Sequence, residues 1–313
     1  MTSAIAPGPD GAPTRAKRSG RLGWTRILAL AVAIGFGVAF IWANARSWNL
    51  EDMDAYWNAA LRLRAGLPLY PAIADPGAPD VFRYAPWFAW LWVPLTYLPK
   101  VAVEVGWSAV LIGSTAFVVA SILRPPSVAA ACLAALLGGL LVRTASTGNV
   151  HALLIAALLF GIPRRSGPVW IGIAASLKFA PIAYALVYVG RGEWRRAATA
   201  AGVTALLVAP ALLYDLSHYP VDPGSGFSLL SIVGPAPWAL VALACAVGAV
   251  RFGRARHAWL AATIAVLAAI PRLQLYDLTY LAVCLRGQLR SGASAAGSDP
   301  PDDRAIQVVR ERT

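Results

Sequence analysis

Residues 86–98 read PWFAWLWVPLTYL. The stretch is uncharged and aromatic, carries Pro94 in its middle, and at thirteen residues falls short of the roughly 20 that a membrane-crossing helix needs. It is either a distorted span or a re-entrant segment, and the choice sets how often the chain crosses. Around it lie apolar segments at 27–43, 101–123, 127–142, 149–162, 168–190, 197–214, 235–250, 257–270 and 275–285. If 86–98 spans, ten helices result with both termini cytoplasmic, and Arg164 and Arg165 fall outside. If it is re-entrant, Arg164 and Arg165 lie inside, and 168–190 must double back near Lys178 to keep Arg191, Arg195 and Arg196 inside too. Both arrangements make 44–83 and 215–234 external loops. Ala43-Asn44-Ala45 imitates a signal-peptidase site, but the long first apolar run and the tail ahead of it predict a retained span.

Composition agrees with this reading. Of the 313 residues 58% are hydrophobic and 13% charged, against about 25% charged in soluble domains, which excludes a soluble globular enzyme. The net charge of +12 does not mark a nucleic-acid-binding module. Its cations sit at Arg15, Lys17, Arg18, Arg21 and Arg26 before the first segment, and at Arg251, Arg254 and Arg256 between later ones, as the positive-inside rule expects. The expected fold is an all-α polytopic membrane protein of about 8–10 transmembrane helices over 24–290. Residues 1–23 and 291–313 lack apolar periodicity and read as disordered cytoplasmic tails. Cys132, Cys245 and Cys284 have no CxxC spacing, so neither a disulfide framework nor a metal site is expected. The Ala, Gly and Arg content points to a bacterial plasma membrane.

The first external loop holds five of the fifteen acidic residues: Glu51, Asp52, Asp54, Asp75 and Asp80. Within it Leu50, Met53, Trp57, Ala60, Leu61 and Arg64 fall on one helical face, with Asp54, Asn58 and Arg62 opposite and Gly66 and Pro68 as a stop. This predicts an amphipathic interfacial helix. Glu51, Asp52 and Asp54 sit in its first turn, where the helix dipole alone also accounts for them. Deeper in the chain, Lys178 is one of three lysines and lies between two apolar half-segments. An intramembrane cation is costly and faces a polar cavity, a partner or the interface.

The string DMDAYWNAALRLRAGLPLY at 52–70, followed by FRYAPWFAWLWVPLTYLP at 82–99, resembles the first external loop and second membrane segment of the polyprenyl-phosphate-mannose-dependent alpha-mannosyltransferases, glycosyltransferase family 87 of the GT-C superfamily. The residues that carry the likeness are Asp52 with Tyr56, the Gly66-Leu67-Pro68-Leu69-Tyr70 turn and the Tyr84-Ala85-Pro86 step. Further along, Gly148-Asn149-Val150-His151 is similar to a Gly-Gln-x-Asn step, with Asn and His substituted. Leu177 to Pro181 resembles a Leu-Lys-x-x-Pro segment, and Pro271 to Asp277 a late motif.

The resemblance implies a GT-C fold and an inverting transfer of mannose from a polyprenyl-phosphate donor to a glycolipid, lipoglycan or glycoprotein acceptor on the outer face. It assigns the general base to Asp52, with Asp54 in reserve because the two project about 200° apart on a helix. A leaving phosphate needs cations, for which Lys178, Arg272 and Arg83 are the candidates and Arg143 a weaker one. Tyr56, Tyr84, Asn149, His151, Tyr276 and Asp277 are candidates for sugar or acceptor contacts, although Asn149 and Asp277 also suit helix caps. His218, Asp215 and Asp222 in the second external loop lack metal-ligand spacing, and no cofactor, metal or nucleic-acid partner is expected. Two other functions fit the same residues: a lipid or sugar transporter or flippase, and a catalytically inert accessory protein keeping the family fold.

Overall fold

The computed structural model describes residues 24–72, 78, 80–123, 128–220 and 229–284. The two tails, Asp75 and Asp222 lie outside the described residues. Among those described, regular structure is entirely helical: α1 Trp24–Ala45, α2 Glu51–Arg64, α3 Pro86–Trp92, α4 Lys100–Ile122, α5 Val128–Ser146, α6 His151–Gly161, α7 Gly167–Leu177, α8 Ala185–Arg191, α9 Trp194–Val208, α10 Leu229–Val233, α11 Pro235–Arg251 and α12 Ala258–Ala269. Single 3-10 segments cover Val93–Tyr97, Ala180–Tyr184, Ala209–Leu213 and Leu275–Tyr280.

Among the described residues, four helical stretches are long and apolar enough to cross a bilayer: Ile27–Ala45, Lys100–Ile122, Val128–Ser146 and Trp194–Leu213. The other apolar helices are shorter, at 10–17 residues, so fewer full-length crossings stand here than the 8–10 expected. Ile27, Leu28, Val32, Phe36, Val38 and Trp42 of α1, Leu206 of α9, and Leu212 and Leu213 after it are exposed. Apolar surface this continuous is tolerable only against lipid. The chain is an all-α, multi-pass membrane protein.

Small residues set the packing, as expected where lipid removes the hydrophobic drive between helices. A Cβ added at Gly37 of α1 would lie 3.1 Å from Ala135 of α5, and one at Gly139 would lie 3.1 Å from Phe40. At the crossing of α8 and α11 a Cβ on Gly190 would lie 2.1 Å from the Val250 carbonyl.

Segment 86–98 does not form a continuous helix. The ring of Pro94 removes an N–H and crowds the preceding turn, so α3 gives way to the Val93–Tyr97 3-10 turn. Seven residues of α-helix and five of 3-10 helix reach about 20 Å, short of a hydrocarbon core of about 30 Å. The segment runs beside α2, with Arg64 Nη1 donating to the Thr96 carbonyl at 3.1 Å, and delivers Lys100 back to Asp54 at 2.7 Å.

Segment 168–190 breaks at Lys178, whose backbone is extended at φ −135° and ψ 116°. Pro181 then starts the Ala180–Tyr184 turn, and α8 runs back toward the start of α7. Arg196 Nη2 donates to the Arg164 carbonyl at 3.3 Å, and Arg191 Nε to the Gly253 carbonyl at 2.9 Å. Arg164, Arg191 and Arg196 thus share one end of the bundle. The opposite end gathers the α1–α2 connection, the α5–α6 turn, Lys178 and residues 272–276 around one cavity.

The expected interfacial helix forms as α2, but it faces protein. Its buried side is Met53, Ala55, Tyr56, Trp57, Ala59 and Ala60, packed with α3, Trp92, Val103 and Val150, whereas Leu61 points outward at 37% exposure. The aromatic run of 86–92 folds over α2 and takes the place expected for lipid. Tyr56 sits at its centre, with ring centroids of Tyr84, Phe88 and Trp92 at 5.2, 4.9 and 5.3 Å.

Candidate active site

The site is built on the turn between α5 and α6. Gly148 has φ +79°, a conformation that favours glycine, and a Cβ there would lie 2.8 Å from Met53 Cβ. This close approach seats the start of α2 on the turn. The Asn49 and Leu50 N–H groups both donate to the Ser146 carbonyl at 3.1 Å, and the Asp52 N–H donates to the Thr147 carbonyl at 2.7 Å. Leu50, at φ 53°, is the one non-glycine residue in the left-handed region among those described, and it swings the chain into α2. Trp107 Nε1 fastens the turn to α4 by donating to the Gly148 carbonyl at 2.8 Å.

Asp52 emerges from this clamp into a cavity of about 920 Å3. Its walls come from Phe40 and Asn44 of α1, Glu51, Asp52 and Tyr56 of α2, Arg83 and Tyr84 before α3, Arg143 and Thr147 of the α5 end, then Asn149, Lys178, Arg272, Gln274 and Tyr276. The Asn149 amide Nδ2 donates to Asp52 Oδ2 at 3.2 Å, while Asn149 Oδ1 accepts the His151 N–H at 3.0 Å. Burial pushes the Asp52 carboxyl above the ordinary carboxylate value, against the pull of hydrogen bonds from Thr147 and Asn149 and of the Lys178 and Arg83 charges. A carboxylate short of solvation beside cations is suited to taking a proton near neutral pH.

Lys178 reaches the same cavity from the α7 break. Its Nζ lies 3.3 Å from His151 Nδ1 and 4.7 Å from the centroid of the Tyr276 ring. None of the ion pairs among the described residues includes it. Arg83 is steered by its guanidinium contacts to the Ala78 and Val81 carbonyls at 2.7 and 3.3 Å. Tyr219 Oη donates to the Arg83 carbonyl at 2.8 Å and ties down its backbone. Arg83, Arg143, Lys178 and Arg272 together outnumber Glu51 and Asp52, so the cavity favours an anion.

The cavity thus brings together Asp52, Tyr56, Arg83, Tyr84, Asn149, Lys178, Arg272 and Tyr276. Three candidates lie elsewhere. Asp54 points away from the cavity and pairs with Lys100 at 2.7 Å, because two residues along a helix turn the side chain to the far side. His151 is fully buried behind Lys178 and does not line the cavity. Asp277 is 4% exposed and spends its carboxylate on a capping box, accepting the Gln274 N–H at 2.8 Å. Tyr56 Oη accepts the Val150 N–H at 3.2 Å and donates to Tyr84 Oη at 3.2 Å. Desolvation pushes the Tyr84 phenol up to about 12, so both tyrosines stay neutral donors at physiological pH.

Thr147, Glu51 and Gln274 line the cavity although reading the sequence did not single them out as site residues. Thr147 directly precedes Gly148-Asn149 and Gln274 lies inside the 271–277 segment, and those adjacencies were the available signals. Among the described residues no group of three or more His, Cys, Asp or Glu side chains is arranged to hold a metal ion.

Residues 82–220 match the family model of Glycosyltransferase family 87. The matched stretch contains Arg83, Tyr84, Arg143, Thr147, Asn149 and Lys178, whereas Asp52 and Arg272 reach the cavity from outside it. No curated protein and no solved structure matches the chain. The similarity to Glycosyltransferase family 87, in a multi-pass helical chain with a carboxylate facing cations, supports a membrane glycosyltransferase.

Proposed function

We propose that the protein is a GT-C type mannosyltransferase that moves mannose from a polyprenyl-phosphate donor to a hydroxyl of a glycolipid, lipoglycan or glycoprotein. The observation that carries the reading is the sharing of one cavity by Asp52 and four cations, among them Lys178, which forms none of the ion pairs among the described residues. A buried-side ammonium that makes no direct ion pair is stabilised by an incoming phosphate.

In this reading the Asp52 carboxylate takes the acceptor hydroxyl proton as the acceptor oxygen forms a bond to the anomeric carbon. The bond from that carbon to the phosphate oxygen breaks, and the electron pair leaves on the phosphate. Lys178, Arg272 and Arg83 stabilise the charge that develops there. Attack opposite the leaving group inverts the anomeric configuration. Tyr84, Asn149 and Tyr276 stand within the same walls to contact the sugar or the acceptor, and the fully buried Tyr56 supports Tyr84 from behind. Asn149 also orients the base through its amide. The arginine-rich end of the bundle is cytoplasmic by the positive-inside rule, which puts the cavity at the outer face of a bacterial plasma membrane and both termini inside. This is the arrangement in which 86–98 does not cross.

Transfer of labelled mannose from polyprenyl-phosphate mannose into membrane lipids, lipoglycans and proteins by purified protein tests the reading. Wild-type transfer that falls by at least about a hundredfold in Asp52→Asn supports it. Undiminished transfer in a folded Asp52→Asn protein removes Asp52 as the base. Absence of wild-type transfer from this donor to the lipids, lipoglycans and proteins of the membrane alike overturns the mannosyl reading and leaves an inert accessory protein or a transporter to be tested by lipid flipping.

A further inference from the structure

We propose that His151 is a positioning residue that aims the Lys178 ammonium into the cavity by accepting one of its hydrogens on Nδ1. The inference rests on the reading of Lys178 as a ligand of the donor phosphate, and it deepens that reading by naming the group that holds the cation in place.

The hydrogen-bond chain fixes the direction of each donor. Thr279 Oγ1 donates its only hydrogen to the Tyr276 carbonyl at 2.7 Å. The same oxygen lies 2.7 Å from His151 Nε2, and because the Lys178 ammonium facing Nδ1 has only hydrogens to give, a neutral ring carries its proton on Nε2 and Thr279 Oγ1 accepts it. A neutral imidazole protonated on Nε2 has its lone pair on Nδ1, and Nδ1 faces Lys178 Nζ at 3.3 Å. His151 and Thr279 are both 0% exposed, so water does not compete for either ring nitrogen. The ring is wedged between Tyr276 and Tyr280, with centroids at 4.9 and 5.1 Å.

The arrangement solves a specific problem. Lys178 stands at a helix break on a flexible four-carbon stem, and a free ammonium there would sample many rotamers. A carboxylate partner would anchor it but would also neutralise the charge a phosphate needs. A neutral acceptor anchors it at no cost in charge. The Tyr276 ring face lies 4.7 Å from the ammonium, and between these two supports Lys178 still lines the cavity with a third hydrogen to give. Two residues earlier, Asn149 orients Asp52, so one turn positions both the base and the cation.

The test measures equilibrium binding of polyprenyl phosphate to the full-length protein in nanodiscs for wild type, Lys178→Met, His151→Leu, His151→Asn, His151→Gln and the Lys178→Met/His151→Leu double variant. His151→Leu is expected to weaken binding about tenfold, and the double variant to bind no worse than Lys178→Met alone. His151→Asn returns an acceptor near the Nδ1 position and should recover binding to within about threefold. His151→Gln reaches the Nε2 position and Thr279 instead, and should not. Nitrogen-15 histidine spectra, assigned by loss of the signal in His151→Asn, should show Nδ1 as the unprotonated nitrogen, a readout independent of whether His151→Leu folds. Wild-type binding in His151→Leu together with weak binding in Lys178→Met overturns the positioning role and leaves the donor-phosphate reading standing. Additive losses in the double variant, or an Nδ1–H tautomer, also overturn it. Unchanged binding in Lys178→Met, or a wild type that does not bind the probe, overturns the donor-phosphate reading and this inference with it.

Discussion

Gly148→Ala tests the construction of the site at its most constrained point. The residue sits at φ +79°, where a side chain costs about 1–2 kcal/mol. The new methyl group would meet Met53 Cβ at 2.8 Å, Met53 N at 3.0 Å and Leu50 Cα at 3.3 Å, so much of what must yield is backbone. Overpacking of this kind costs roughly 1–3 kcal/mol, for a combined loss of about 2–5 kcal/mol. Relief requires α2 to lift from the turn, and Asp52, held there by its N–H bond to Thr147, moves with it. A displacement on the order of 1 Å at a reacting group can lower turnover about a hundredfold. Cys132, Cys245 and Cys284 are free thiols, and Cys284 is buried, so a thiol-reactive dye reports thermal unfolding of the purified protein. The expected result is a lower midpoint together with transfer reduced tenfold to a hundredfold below the unfolding temperature. Gly113→Ala in α4 is the control, since nothing lies within 4 Å of an added Cβ and a helical alanine is favoured by up to about 1 kcal/mol. A Gly148→Ala protein as stable and active as wild type would refute the seating of α2 on the α5–α6 turn.

Asp52→Asn should unfold at the same temperature as wild type or higher near neutral pH. The folded-state carboxyl is raised, so the folded chain binds the proton more tightly and its stability falls as pH rises through that carboxyl's titration; an amide escapes the penalty. A lower midpoint for Asp52→Asn at neutral pH, equal to wild type in acid, would contradict the desolvation argument. By the same shift the acid limb of kcat/KM should titrate above the ordinary carboxylate value, as read from a pH profile in wild type. Asp54→Asn should keep transfer and lose at most about 1 kcal/mol, because its pair with Lys100 is partly solvated; abolished transfer would return the base role to Asp54. Gly190→Ala should destabilise the protein by roughly 2 kcal/mol or more, since its Cβ would lie 2.1 Å from the Val250 carbonyl and 2.9 Å from Gly253 Cα, both backbone atoms; an unchanged midpoint in the thiol assay would refute that crossing.

Much of the architecture was legible in local sequence because hydropathy and helical period belong to a segment, whatever its neighbours. Class, helix positions and the carboxylate-bearing helix at 51–64 followed from such signals, whereas the interruption near Lys178 was expected in only one of the two arrangements. Composition could not say what would cover the apolar face of α2. A helix with Met53, Trp57 and Ala60 on one side looks the same whether lipid or protein lies beneath it. The aromatic residues of 86–92 supplied the cover, and only their return over α2 established it. Helix length was settled the same way: α6 and α7, at 11 residues each, are apolar but shorter than a full crossing, and α7 ends at Leu177 in the cavity wall.

The sequence alone determined that this chain lives in a membrane, where its helices lie, and that a small group of acids and a single buried-side lysine break the apolar pattern. Tertiary structure alone decided which of them meet. Asp52 and Asn149 are 97 positions apart, His151 and Lys178 27, and His151 and Thr279 128, and no local periodicity carries a distance across such separations. Asp52 turns inward and Asp54 outward because Gly148 lets α2 settle on one particular turn. His151 becomes a support for a cation instead of a wall of the cavity because Thr279, on a strand of chain that arrives last, takes its other nitrogen.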